Sequence, residues 1–149
     1  MGFFGTKKNK ETTDSNLENK LSQILVKEIM AKELIIAPQS TTIYQISKMM
    51  EQGIGSVFVK KDADAMGIIT DRDFAIKVAA NKYPLDTPVE KVASFPLEII
   101  SPNKSVLEAA KQMAAKKIRK LAVSENNKII GIITTSDIVR QLSKFQKDV

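Results

Sequence analysis

Gly67–Asp73, read as Gly-Ile-Ile-Thr-Asp-Arg-Asp, returns as Gly-Ile-Ile-Thr-Thr-Ser-Asp at Gly131–Asp137, a spacing of 131 − 67 = 64 residues. Each copy reads as an apolar strand closing on Thr, followed by a helix whose first turn carries Asp. Slid against itself by that offset over positions 36–78, the chain matches at Ile36/Ile100, Pro38/Pro102, Met49/Met113, Ile54/Ile118, Val59/Val123, all four residues of Gly-Ile-Ile-Thr, and Asp73/Asp137. Average residue usage would give roughly three identities over such a span, against the ten observed. The chain is therefore read as an internal duplication. The period is longer than that of ordinary solenoid repeats, and two copies suggest a pseudo-symmetric pair rather than an array.

Local signals run the same course through both halves. The polar segment Lys7–Asn16 reads as a mobile tail, drawn over residues 1–20, and Met1–Thr6 formally fits the N-myristoylation pattern. Ser15-Asn16-Leu17-Glu18 reads as a capping box for a helix whose Leu17, Leu21, Ile24, Leu25 and Ile29 pack on the body of the fold. A strand is predicted at Leu34–Ala37, ended by Pro38. Thr41 or Thr42 then caps a helix carrying Ile43, Ile46, Met49 and Met50. Strands at Ser56–Lys60 and Ala65–Thr70 flank a turn at Lys61–Asp64, and a helix follows from Asp71 to about Ala80. Tyr83–Pro88, with two prolines, marks the boundary between a first repeat at residues 21–84 and a second at 85–149.

The second half predicts a strand at Leu97–Ile100 before Pro102 and a capping box at Ser105–Glu108 for a helix to about Lys116. Strands at Lys120–Val123 and Lys128–Thr134 turn at Asn126-Asn127, and a last helix spans Thr135 to Phe145. The fold class is α/β, each repeat being strand, helix, strand, strand, helix. Neither repeat looks large enough to bury a good core alone, so the two are expected to pack as one module.

Composition narrows the function. The chain has neither Cys nor His, which removes the thiol and imidazole nucleophiles, the usual neutral-pH base and the soft metal sites. Asp, Glu, Lys and Tyr supply few paired acid–base groups, and none converge in sequence, so no catalysis, catalytic cofactor or metal site is expected. No apolar run approaches the roughly 18 residues that span a bilayer, and with no secretory signal a cytoplasmic setting is the expectation. Basic residues exceed acidic ones by 23 − 17 = 6, mostly as Lys spread along the chain. That surplus reads as an ordinary solvated surface, since no long Lys/Arg run or aromatic-studded stripe marks a nucleic-acid groove. Arg occurs at Arg72, Arg119 and Arg140, two of them beside the repeated motifs.

Thr70-x-x-Asp73 and Thr134-x-x-Asp137 have a plain structural explanation, because Thr followed by an acid three residues on is a helix capping box. Capping alone does not require Gly-Ile-Ile before both copies, nor Ser136 beside Asp137. A helix N-terminus also gathers anions through free N–H groups, and a carboxylate there can accept the hydroxyls of a ribose. The two roles can coexist.

The doubled unit, with Val26–Met30 and Val89–Ala93 ahead of the first strands, Ile118–Val123 and two Gly-Ile-Ile-Thr-x-x-Asp motifs, resembles a tandem pair of cystathionine-β-synthase-type (CBS) domains over roughly residues 24–145. The resemblance implies a stand-alone regulatory module that binds an adenosyl ligand in clefts between the repeats, signals to a regulated partner protein and forms a homodimer. AMP, ADP, ATP, S-adenosylmethionine and a dinucleotide all remain open as the ligand. It further implies that Asp137 and Asp73 hold ribose hydroxyls and that Thr134, Ser136 and Thr70 reach ribose or phosphate. Adenine would lie near Ile35, Ile36, Ile54 and Gly55 in the Asp137 cleft, and near Ile99, Ile100 and Ile118 in the Asp73 cleft. Arg119 stands at a basic phosphate contact of the family, followed by Lys120. Ile residues in this set also read as core.

Arg119 and Lys120 correspond to Gly55 and Ser56 in the first repeat, since 119 − 64 = 55, so only one repeat carries the cationic pair. Asp71 adds a second acid beside Asp73, which repels phosphate unless Arg72 turns in. The Asp137 cleft is therefore expected to be the better site for a charged nucleotide. Two competing readings are a nucleic-acid-binding regulator, drawing on the positive charge and Lys-rich tail, and a structural dimerisation module in which the motifs are caps alone.

Overall fold

Runs of three consecutive buried residues in β-strands of both predicted hairpins are what the computed structural model displays; it describes residues 15–62 and 66–145. The first sheet comprises β1 (Ile36–Pro38), β2 (Ser56–Lys60) and β3 (Met66–Thr70), with β1 parallel and β3 antiparallel to the central β2. The second repeats that order with β4 (Ile99–Ile100), β5 (Lys120–Glu125) and β6 (Lys128–Thr134). Asn126 and Asn127 both adopt positive φ, 51° and 61°, the backbone that a two-residue hairpin turn demands and that Asn tolerates.

Helix α1 covers residues 15–23 and α2 covers Val26–Ile29. Between the first and second strands of each sheet lies a helix, α3 (Ile43–Glu51) or α5 (Val106–Lys116). After each third strand comes another: α4 opens at Asp71–Asp73 and widens into π-type turns over Phe74–Ala79, and α6 runs Thr135–Phe145. A single 3-10 turn occupies Val89–Lys91.

Two compact units result, Glu33–Leu97 in one and, in the other, the described residues up to Lys32 together with those from Glu98 onward. Each unit has its own cluster of buried residues, and neither cluster is built from one repeat alone. In the first, Ala37, Ile43, Ile46, Val57, Val59 and Ile69 cluster with Val78, Val89 and Val92. In the second, Ile100, Val106, Ala109, Met113, Leu121, Val123, Ile133 and Ile138 cluster with Leu21 and Val26. Val78 comes from α4, whereas Val89 and Val92, like Leu21 and Val26, come from the segments that lead into each repeat. Leu25 bridges to Ser105 and Ala31 to Ile132, while Thr42 bridges to Pro88 and Ser94 to Ile68. The segment before the first repeat thus completes the sheet of the second, and the segment between repeats completes the sheet of the first.

Most expected elements stand within a residue or two. The first strand lies at Ile36–Pro38 rather than Leu34–Ala37, with Pro38 inside it; β1 is an edge strand, where a missing N–H is tolerated. The strand expected at Leu97–Ile100 is confined to Ile99–Ile100. Ser15 is the first described residue and is helical, the residue before it lies outside the described residues, and Leu17 is exposed while Leu21 is buried. Thr42, not Thr41, caps α3. The Met1–Thr6 pattern, and Ala63 to Ala65 of the first hairpin, lie outside the described residues. Among the described residues no helix is long and apolar enough to cross a membrane.

Candidate functional site

Thr134 ends β6 because the helix that follows needs its backbone groups capped. The Asp137 N–H donates to Thr134 Oγ1 at 3.3 Å, while the Thr134 N–H and hydroxyl donate to Asp137 Oδ2 at 2.9 and 3.1 Å. Thr70 and Asp73 make the same three contacts at 3.4, 2.8 and 3.1 Å. Both motifs are therefore working capping boxes, and each spends one carboxylate oxygen on the cap.

The strand before each box closes on it. The Thr135 N–H donates to the Arg119 carbonyl at 2.9 Å, and the Asp71 N–H to the Gly55 carbonyl at 3.4 Å. Register places Lys120 directly opposite Thr134, and Ser56 opposite Thr70. Cross-strand partners share a face. Arg119, Lys120, Thr134, Ser136 and Asp137 are thus brought together at one turn, with Ser136 and Arg119 exposed. The matching turn holds Gly55, Thr70, Arg72 and Asp73, without the cationic pair.

The second carboxylate oxygen has a cationic neighbour in both boxes, though neither residue was among those assigned to bind ligand. Arg140 Nη1 donates to Asp137 Oδ1 at 3.2 Å, and Lys77 Nζ lies 3.4 Å from Asp73 Oδ1. The signal was available, since a base three or four residues after an acid on a helix faces it. Arg72 does not serve that purpose: its backbone N–H donates to Asp71 Oδ1 at 2.9 Å and its side chain is exposed.

The isoleucines divide. Ile100 is buried, and Ile54 and Ile118 pack half-buried against their cores. Ile35, Ile36 and Ile99, which also read as core, are exposed at 36%, 48% and 51%. The pleat explains the last two: Ala37 and Ile100 point into the clusters, so their neighbours Ile36 and Ile99 point the other way.

Comparison with known proteins places this fold. The family model for the CBS domain matches residues 26–80 and again 86–144. The CBS domain-containing protein YhcV of Bacillus subtilis is 32% identical over 120 residues, which span 79% of this chain and 86% of YhcV. An uncharacterized conserved protein from Pyrococcus horikoshii superposes with a TM-score of 0.76 at 30% identity, over 81% of this chain and 93% of that one. The CBS domain pair of protein MJ0100, solved with 5′-methylthioadenosine and S-adenosyl-L-methionine, shares the fold with a TM-score of 0.71 at 24% identity, over 80% of this chain and 96% of that one. With both repeats matched in tandem and the same α/β units formed twice, the chain belongs to the CBS domain family.

Proposed function

We propose that this chain is a regulatory module that binds an adenosyl ligand, an adenine nucleotide or S-adenosylmethionine, at the Thr134–Asp137 turn and passes the bound state to a partner protein. The observation that carries the reading is that the Arg119 carbonyl accepts from the Thr135 N–H and Lys120 stands opposite Thr134, which sets two cationic residues beside the helix start that holds Thr134, Ser136 and the Asp137 carboxylate. Two cations and a helix N-terminus suit phosphate, and a carboxylate suits the hydroxyls of a ribose. The adenosyl compounds in the MJ0100 pair support the ligand class. The exposed Ile35, Ile36 and Ile99 offer apolar surface of the kind a purine ring covers. The Asp73 turn, with Gly55 and Ser56 in place of the cations and Asp71 beside it, ranks second for a charged nucleotide.

Regulation then acts by population shift: the ligand favours whichever state of the module, or of its homodimer, binds it more tightly, and by no more than that difference in affinity. Exposed Ile76 on α4 and exposed Val139 on α6 each offer apolar surface suited to self-association. The chain acts by binding and not by catalysis.

Isothermal titration with AMP, ADP, ATP and S-adenosylmethionine at physiological salt tests the reading, with wild type and Asp137→Ala compared. The expected result is binding of at least one compound by wild type, lost in the variant, with a melting rise that follows RT ln(1 + [L]/Kd). Failure of all four to bind would leave the motifs as caps. Nucleic-acid binding that falls steeply with salt and survives Asp137→Ala would favour the competing regulator.

A further inference from the structure

The two capping boxes look alike, but the cations that face their second carboxylate oxygens are held in different ways. Arg140 lies at 68% side-chain exposure and is joined to Asp137 across one turn of α6. Lys77 is 38% exposed and has three neighbours: Asp73 Oδ1 at 3.4 Å, the Ser94 hydroxyl oxygen at 2.9 Å and the Val92 carbonyl at 3.1 Å. Two of the ammonium's three donors are thus hydrogen-bonded, to Ser94 and Val92, while its charge pairs with Asp73. Ser94 is itself fixed, because its N–H donates to the Ile68 carbonyl at 2.8 Å and its carbonyl accepts from the Ile68 N–H at 3.1 Å. Lys77 is therefore anchored to the edge of its sheet, whereas Arg140 can swing into solvent.

We propose that Lys77 is an internal latch, a specificity-determining residue that withholds the Asp73 carboxylate from a ribose diol and leaves Asp137 as the site in use. This rests on the adenosyl reading above. Asp73 Oδ2 is filled by the Thr70 N–H and hydroxyl, so a diol must use Oδ1, where a fixed ammonium already stands. At Asp137 the same oxygen is freed when Arg140 rotates away, and the displaced guanidinium remains near enough to meet a phosphate. The latch has no counterpart in the second repeat: Gln141 takes the place of Lys77, since 77 + 64 = 141, and Ala31 makes the bridge to Ile132 that Ser94 makes to Ile68.

The test is titration stoichiometry with 5′-methylthioadenosine, an uncharged adenosyl probe, and with ATP, on wild type, Lys77→Gln and the double variant Lys77→Gln/Asp73→Ala. Wild type is expected to bind a single equivalent. Lys77→Gln should add a second equivalent of methylthioadenosine, because a carboxylate without its ammonium is a better acceptor for hydroxyls, and the double variant should lose it again. Ser94→Ala, which loosens the anchor and leaves both charges in place, should also admit a weaker second equivalent, and keeps the idea open to test if Lys77→Gln fails to fold by circular dichroism. A wild type that binds two equivalents, or folded Lys77→Gln and Ser94→Ala chains that still bind only one, would overturn the latch while leaving the adenosyl reading intact. No binding of either compound by any chain would overturn both.

Discussion

One missing side chain explains a part of the repeated motif that capping does not. A Cβ on Gly67 would meet the Ser94 carbonyl at 2.7 Å and the Phe95 ring at 2.6 Å; on Gly131 it would meet the Ala31 carbonyl at 2.8 Å and the Met30 sulfur at 2.7 Å. Both glycines let a lead-in segment close on the sheet edge. They are packing residues, whereas the sequence alone left them as a hint of ligand binding. Gly131→Ala is therefore expected to destabilise the fold by about 1–3 kcal/mol, the usual cost of forcing extra atoms against backbone. Urea unfolding would read this as a lower midpoint at unchanged slope, and a loss below about 0.5 kcal/mol, the range of an ordinary surface change, would contradict the packing account. Thr134 and Asp137 were legible because a capping box is local. The contact of Lys77 with Ser94, seventeen residues apart, was not, because nothing in either residue's neighbourhood announces it.

Helices α3 and α5 show where a simple offset fails. The hairpin strands are related by 64 residues, but the first strands, with Ile36 opposite Phe58 and Ile99 opposite Ala122, are 99 − 36 = 63 apart, as are the helix caps Thr42 and Ser105 and the core positions Ile43/Val106 and Ile46/Ala109. The helices end back in step, with Gly53 and Lys117 both at positive φ, 96° and 55°. One residue has been added inside α5. The identity Met49/Met113 therefore pairs positions that are not equivalent, and buried Met113 matches Met50, eight residues after its cap. Cap chemistry at α5 also sets a pH dependence. The Ser105 N–H donates to Glu108 Oε2 at 2.8 Å, and this backbone hydrogen bond, with Lys104 nearby, holds the Glu108 carboxyl below its ordinary value of 4.5. A carboxyl lowered in the folded state stabilises it fully above the unfolded value, and that contribution is lost as pH falls through the folded value. Wild type should consequently lose stability below pH 4.5 more steeply than Glu108→Gln, which cannot titrate there. Parallel melting curves for the two chains, taken stepwise through the acid range, would contradict this assignment.

At the scale of the chain, each sheet is completed by a segment that lies outside its own run of strands and helices. Val89 and Val92 enter the core of the first repeat, and Leu21 and Val26 that of the second. Periodicity and turn chemistry made the hairpins and helices readable because their signals are local. The lead-in pairings were not readable, because a single antiparallel bridge beside a glycine has no periodic signature, and the prolines of Tyr83–Pro88 look like a plain linker. In fact the Ile43 N–H donates to the Thr87 carbonyl and the Val89 N–H to the Thr41 carbonyl, so this stretch also holds the start of α3. A physical consequence separates a linker from a structural segment. One whole unit is continuous in sequence, Glu33–Leu97, and contains both the first sheet and its lead-in. As an isolated fragment, residues 33–97 should keep the Val89 and Val92 contacts and the bridge at Ser94, and so melt cooperatively. A fragment of residues 33–84 would leave the edge beside Gly67 unpaired and lose two fully or almost fully buried valines, at roughly 1.5–3 kcal/mol each. Against the marginal stability of so small a unit, that loss should abolish the transition. Circular dichroism melting of the two fragments makes the comparison, and equal cooperativity in both would show that the lead-in segment is dispensable to the sheet it borders.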